Sequence, residues 1–211
     1  MPRYCRAPSI NTIAPILQFS VLPSAFFNAD TITVAKSLLG KFLVHKTSLG
    51  TMVGRIVETE AYLADDPACH AHGGKKTGRT EIMFGPPGVS YIYLVYGMHY
   101  CFNVVTRETG IGEAVLIRAL EPVAGIEVMQ ENRNTAVLKN LCSGPGKLVS
   151  AMGMDKSLNG VDLTKKPLYL AKDPYLKKVG NIVTTTRIGI SHAKALPLRF
   201  YLENNTFISK K

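Results

Sequence analysis

Three runs of this chain carry side chains whose types and spacing suit chemistry. In RIVETEAY, residues 55–62, Glu58, Glu60 and Tyr62 stand two apart. On a strand that spacing puts all three on one face. Such a face is either washed by solvent or lines a cleft. In a cleft, a carboxylate beside an aromatic ring suits hydrolysis at a flat, stacked substrate. In YIYLVYGMHY, residues 91–100, Tyr91 and Tyr93 share a face, while Tyr96 lies on the other, just before a turn at Gly97-Met98. Tyrosines here either build strand and rim or stack on nucleobases for roughly 1–3 kcal/mol each. At the tip of a hairpin, Tyr96, Met98 and His99 would project as a wedge for a base step. In HAHGGKKTGRT, residues 70–80, two glycines permit close backbone approach, and Lys75, Lys76, Thr77 and Arg79 are phosphate-seeking groups. A mobile solvated loop is the competing account. The spacing is not that of a Walker loop.

One cation stands out from its surroundings. Arg118 sits inside AVLIRAL, residues 114–120. It is either exposed on one face or paired with a buried carboxylate, and Glu60 is the natural partner.

Positioning these groups requires a sheet. Asp30 or Thr31 caps a helix that runs through Leu39 and stops at Gly40. Strands are predicted over 41–46 and 52–62 around a turn at 48–50, then over 90–96 and 101–106 as a hairpin, and over 113–120. Residues 68–79 read as a loop. Helices are predicted over 125–132 and 145–152, the second with Pro145 in its first turn and Gly153 as its stop. Late strands are expected at 167–171, 187–190 and 197–202. Strands outnumber alternating β-α units, so the fold class is α+β. We expect a single compact domain with a curved, mainly antiparallel β-sheet flanked by helices and a protruding β-hairpin. Its bounds are 22–211, with an N-terminal extension over 1–21.

Composition narrows the partners. Hydrophobic residues are 46% and charged ones 19%, a balance that excludes global disorder. Lys and Arg outnumber acids 25 to 15, for a net charge of +10, which favours an anionic partner such as nucleic acid. Cys5, Cys69, Cys101 and Cys142 form neither a zinc framework nor a disulfide scaffold. A reducing cytoplasmic setting follows (with the nucleoid in a bacterium, the nucleus or an organelle in a eukaryote). Cys69, His70 and His72 lack a partner pair at ligand spacing, so no metal is expected. Arg3 and Arg6 before the apolar stretch 10–22 faintly resemble a targeting segment, but Asn11, Pro15 and Gln18 interrupt it. Residues 82–106 carry no Lys, Arg, Asp or Glu, yet their prolines, glycines and alternating tyrosines describe sheet and not a bilayer helix.

The ordered blocks LLGKFLVHK (38–46), GRIVETEAYLADDPACHAHGG (54–74), MFGPPGVSYIYLVYGMHYCFNVVT (83–106), VLIRALEP (115–122), LCSGPGKL (141–148), TRIGISHA (186–193) and PLRFYLENNTFIS (197–209) resemble the alkyladenine (3-methyladenine) DNA glycosylase family, the type without a helix-hairpin-helix motif. The resemblance runs from about residue 22 to the C-terminus. It implies Glu60 as general base, Arg118 as the residue holding that base and a water, and the Ile188 backbone as the third group around the water. Tyr62, His70 and Tyr93 become walls of the base pocket, Tyr96 the side chain entering the duplex, and Asn103 the group that crowds the guanine amino group. His99 stands where some members carry another aromatic, and Lys75 and Lys76 where some relatives are arginine-rich. The implied partner is double-stranded DNA containing damaged purines, bound by a monomer. The implied reaction is hydrolysis of the N-glycosidic bond of 3-methyladenine or 7-methylguanine, extending to hypoxanthine and ethenoadenine. The alternative is a non-catalytic DNA-damage-binding protein on the same scaffold. A metal-dependent hydrolase using Glu58, Glu60, His70 and His72 and a peripheral membrane protein are more distant rivals. No lysine in the pocket motifs is suited to attack the sugar, so strand cleavage is not expected. No cofactor is implied.

Overall fold

The organising element is one long strand, β2 (Gly50–Tyr62), which follows β1 (Phe42–Thr47) through a tight turn. One edge of β2 is shared. Its first half pairs with β1, and its second half, Glu58 to Glu60, pairs with β8 (Arg199–Leu202). The other edge pairs along its length with β5 (Ala114–Ala124). The sheet order is β3-β4-β5-β2-β1-β6, where β3 is Ser90–Val95, β4 His99–Val105 and β6 Leu168–Ala171; β7 (Ile182–Thr185) extends β8. Every pair is antiparallel. The computed structural model describes residues 19–175 and 178–210, so most of the expected N-terminal extension lies outside the described residues. Within them, Phe19 packs edge-on against Phe42 and Val21 bridges Ala171.

Two irregularities in the β2–β5 ladder set the geometry that matters. Ile56 faces Leu120 and Glu58 faces Ala119, leaving Val57 as the extra residue on β2. The next pair is Thr59 with Ile117, so Arg118 is the extra residue on β5. Bulges of this kind bend strands and re-aim side chains. Close packing is also needed nearby: a Cβ on Gly54 would lie 2.8 Å from Leu120 Cδ1.

Among the described residues four helices pack mainly against one face: α1 (Thr31–Leu38), α2 (Ile126–Arg133), α3 (Leu138–Leu141) and α4 (Pro145–Ala151). Asp30 caps α1 by accepting from the Thr33 N–H at 2.9 Å, worth about 1 kcal/mol. Val34, Ala35 and Leu38 of α1 meet Ile56, Phe102, Ile117 and Phe200 of the sheet in the main core. Each such large side chain, fully buried, contributes about 1.5–3 kcal/mol. Thr59 also donates its hydroxyl to Ala35 O at 2.9 Å. Thr59 and Ala61 therefore face the helices, and Glu58, Glu60 and Tyr62 face the other side of the sheet. The α+β class, the curved antiparallel sheet and the hairpin are as expected.

One late strand is misplaced in the sequence reading. No strand covers 187–190; it lies at Ile182–Thr185 instead. Side chain and backbone at 187 and 188 are engaged elsewhere, and Gly189 takes a φ of 76° that ends extended structure. Helix α3 was also not anticipated.

Candidate active site

A cavity of about 600 Å³ opens between the β3–β4 hairpin, the loop around His70 and the segment 188–192. Strand alternation builds its walls. Tyr91 and Tyr93 of β3, with Cys101 and Asn103 of β4, face the cavity, while Ile92 and Phe102 join the core. The Tyr93 and His70 rings meet edge to face, with centroids 4.6 Å apart, and Tyr91 lies 5.1 Å from Tyr93. Asn103 is pinned in the wall, donating its amide to Tyr91 O at 2.9 Å. Tyr62 lines the cavity as well.

His70 is held in one tautomer. Arg79 Nη2 lies 3.3 Å from His70 Nε2, and an arginine only donates, so Nε2 accepts. The ring proton then sits on Nδ1, which donates to the Tyr91 hydroxyl at 3.0 Å. Burial, aided by the Arg79 charge, lowers the His70 pKa to about 4, so the ring is neutral at physiological pH.

Glu60 is wholly buried and sits directly behind the wall formed by Tyr62, Arg118 and Ile188. Its Oε1 accepts the Ile188 N–H at 2.8 Å and pairs with Arg118 Nη1 at 3.2 Å. Its Oε2 accepts the Tyr62 hydroxyl at 2.9 Å. Burial pushes the Glu60 pKa above the ordinary carboxylate range, and the Arg118 charge and those two donors pull against it. Burial, with the Glu60 charge next, likewise raises the Tyr62 phenol.

Arg118 also reaches Glu58, through Nε at 3.3 Å, and donates to Ile188 O at 3.4 Å. Glu58 is saturated by internal partners: Arg199 Nη1 at 2.9 Å, the Ser209 hydroxyl at 2.9 Å and the Ser209 N–H at 2.6 Å. Two carboxylates thus share two guanidiniums, which balances buried charge. The chain pattern signals Glu58 as a neighbour of Glu60 on the same face and as one carboxylate of the metal-hydrolase rival, and it gives no sign of Arg199. A second buried pair, Asp66 with Arg187, was likewise not anticipated.

The remaining expected residues divide. Tyr96 and Met98 are 82% and 73% exposed at the hairpin tip, beside His99, which is also exposed. Tyr96 adopts a φ of 52°, the left-handed region. Lys75, Lys76 and Thr77 are exposed on the loop, and the Thr77 N–H is used within its own turn by Thr80. Arg79 departs from them: its guanidinium lies 4.7 Å over the Tyr93 ring and lines the cavity. Among the described residues no three His, Cys, Asp or Glu side chains converge as metal ligands do. No helix there is long and apolar enough to cross a membrane.

The profile of the family described as Methylpurine-DNA glycosylase matches residues 25–206. This chain belongs to the methylpurine-DNA glycosylase family. It is therefore a DNA glycosylase, a DNA-binding hydrolase of DNA repair. Similar proteins include one from Carboxydothermus hydrogenoformans, 53% identical over 193 residues that span 90% of this chain and 100% of that one. Another, from Methanoculleus marisnigri, is 52% identical over 193 residues, 90% of this chain and 99% of its own. A third, from Francisella tularensis, is 52% identical over 189 residues, 89% and 97% of the two chains. Each bears the name "Putative 3-methyladenine DNA glycosylase".

Proposed function

We propose that this glycosylase extrudes alkylated purines such as 3-methyladenine and 7-methylguanine from duplex DNA, hydrolyses the N-glycosidic bond with a water activated by Glu60, and leaves an abasic site. The observation that carries this reading is the placement of Glu60. It is a carboxylate held by Arg118 and the Ile188 N–H immediately behind an aromatic cavity. The cavity volume falls in the range of small-ligand sites, about 300–1,000 Å³, and accommodates a purine.

Extrusion costs a few kcal/mol of stacking and pairing. Tyr96 at the exposed hairpin tip fills the gap, and Tyr62 and Tyr93 supply faces for the flipped base. Breaking the bond develops oxocarbenium-like charge on the sugar, which a nearby carboxylate stabilises. Glu60 Oε2 has a cavity-lining hydroxyl, that of Tyr62, as its partner. When that hydroxyl turns away, Oε2 is free to take a proton from the attacking water. Purines alkylated at N3 or N7 are cationic, so they leave without an acid and stack well on tyrosine faces. The neutral lesions hypoxanthine and ethenoadenine require protonation as they leave, and neutral His70 is no ready acid at physiological pH. The preference should therefore favour cationic lesions. On this reading Asn103, whose amide is held by Tyr91 O, crowds the amino group of normal guanine.

Among the described residues no lysine lines the cavity, which supports a monofunctional enzyme without lyase chemistry. The test is incubation with methylated duplex and with hypoxanthine-containing duplex, followed by analysis of freed bases and of strand integrity. Methylpurines should be released faster than hypoxanthine, with strands intact until alkali is added. Strand breaks without alkali would contradict the monofunctional reading, and the absence of any freed base would contradict the whole.

A further inference from the structure

One buried ion pair has no part in the reaction above, yet it lies against the Tyr62 ring and next in the chain to Ile188. Arg187 and Asp66 are both buried, at 6% and 2% exposure. Arg187 Nη2 donates to Asp66 Oδ1 at 2.9 Å, and Nη1 donates both to Asp66 Oδ2 and to Ala61 O, the latter at 3.0 Å. Ala61 is the residue between Glu60 and Tyr62. The guanidinium also lies 4.8 Å over the ring of Tyr62, which lines the cavity while Arg187 does not. The next residue along the chain is Ile188, whose N–H holds Glu60. Asp66 continues the connection by accepting from the Ala68 N–H at 3.0 Å, while its carbonyl accepts from Cys69 N–H at 2.8 Å, just before His70.

We propose that the Arg187–Asp66 pair is a positioning clamp for the reaction, locking the Ile188 N–H onto Glu60 and the Tyr62 ring into the cavity wall. This inference rests on Glu60 acting as the base. The segment bearing Ile188 has no regular structure, and Gly189 gives it freedom to move. Arg187 is its anchor to β2, and the anchoring fork is bidentate and planar, which fixes orientation as well as distance. Stability alone does not explain the arrangement. Buried ion pairs are often no better than apolar residues of the same volume, and Arg187 Nε has no hydrogen-bond partner among the described residues.

The consequence is readable in the pH dependence of chemistry. Glu60 is faced by Arg118 from β5, by Tyr62 and Glu58 from β2, by Cys101 from β4, and by Arg187 and the Ile188 N–H from the 186–192 segment. Loosening the clamp weakens the N–H bond to the carboxylate. That disfavours the charged form, so the pH below which activity is lost moves upward.

The experiment compares Arg187→Lys and Asp66→Asn with the unaltered enzyme in single-turnover release of 7-methylguanine from methylated duplex across pH. Melting temperature and binding to an abasic-site duplex are measured alongside. Each variant should release base on the order of tenfold to a hundredfold more slowly, with binding held within about twofold, the scatter expected of an untouched contact surface, and with the acid limb shifted to higher pH. Unchanged rates, slower release with an unmoved limb, or failure of both variants to fold would overturn the clamp. Glu60→Gln in parallel separates the two ideas. An inactive Glu60→Gln beside indifferent clamp variants rejects only the clamp, whereas an active Glu60→Gln removes the base itself.

Discussion

A carboxylate shut away from water must be supported or it takes up a proton, and Glu60 carries this tension more than any other residue here. Its raised pKa means that the folded protein holds a proton the unfolded chain has already released. Stability from this site is thus present below the ordinary carboxylate range and declines as pH rises through the raised value. Glu60→Gln keeps the volume and removes the charge, so its melting temperature relative to that of the natural enzyme should rise as pH increases from the ordinary carboxylate range toward neutral. The gain is about 2–4 °C per kcal/mol recovered, and calorimetry measures it. His70 runs the other way. Its pKa is lowered to about 4 from 6.5, so the unfolded chain binds the proton first and stability is lost as pH falls through that window. Melting between pH 6.5 and 4 should fall more steeply for the natural enzyme than for His70→Gln. At this scale much of the site was legible. The two-residue spacing put Glu60 and Tyr62 on one face, and a lone arginine in an apolar strand asked for a buried acid. What the chain pattern hid was long-range pairing. Asp66 meets Arg187 across 121 residues and Glu58 meets Arg199 across 141, and no local periodicity records such a meeting. Arg79 looked like one cation of a basic loop, but its turn toward His70 and Tyr93 was invisible because loops follow contacts instead of a period.

The hairpin carries the proposed wedge. A non-glycine residue at positive φ is strained by about 1–2 kcal/mol, and Tyr96 accepts that strain with its ring out in solvent. Asparagine tolerates the same backbone. Tyr96→Asn should therefore keep or raise the melting temperature while weakening binding to lesion-containing duplex more than to single strands. Equal losses on both substrates, measured by fluorescence anisotropy, would argue against a wedge. Strands dense in β-branched and aromatic residues are placed by their patterns to within a residue or two, because a half-buried strand must alternate, except that β5 runs four residues beyond its expected end, to Ala124. The bulges that aim Arg118 are not, since an extra residue in a ladder is decided by the partner strand. The strand expected at 187–190 failed for a related reason. Its residues resemble a strand, but their hydrogen bonds go to Ala61, Asp66 and Glu60.

For the molecule as a whole, a net charge of +10 sets the approach to a polyanion. Lys75 and Lys76 are exposed on a loop bordering the cavity. Neutralising both should flatten the dependence of log binding constant on log salt by roughly one to two units of slope. An unchanged slope would exclude phosphate contacts there. Charge sign and fold class were readable from composition and strand count, whereas the cavity was not, because it exists only where hairpin, loop and the 188–192 segment meet. The proposed reaction depends most on Glu60. Single-turnover release of methylpurine by Glu60→Gln, with duplex binding measured on the same preparation, tests it directly. Release should drop at least about a hundredfold while binding persists. Release at the natural rate would contradict a water activated by Glu60.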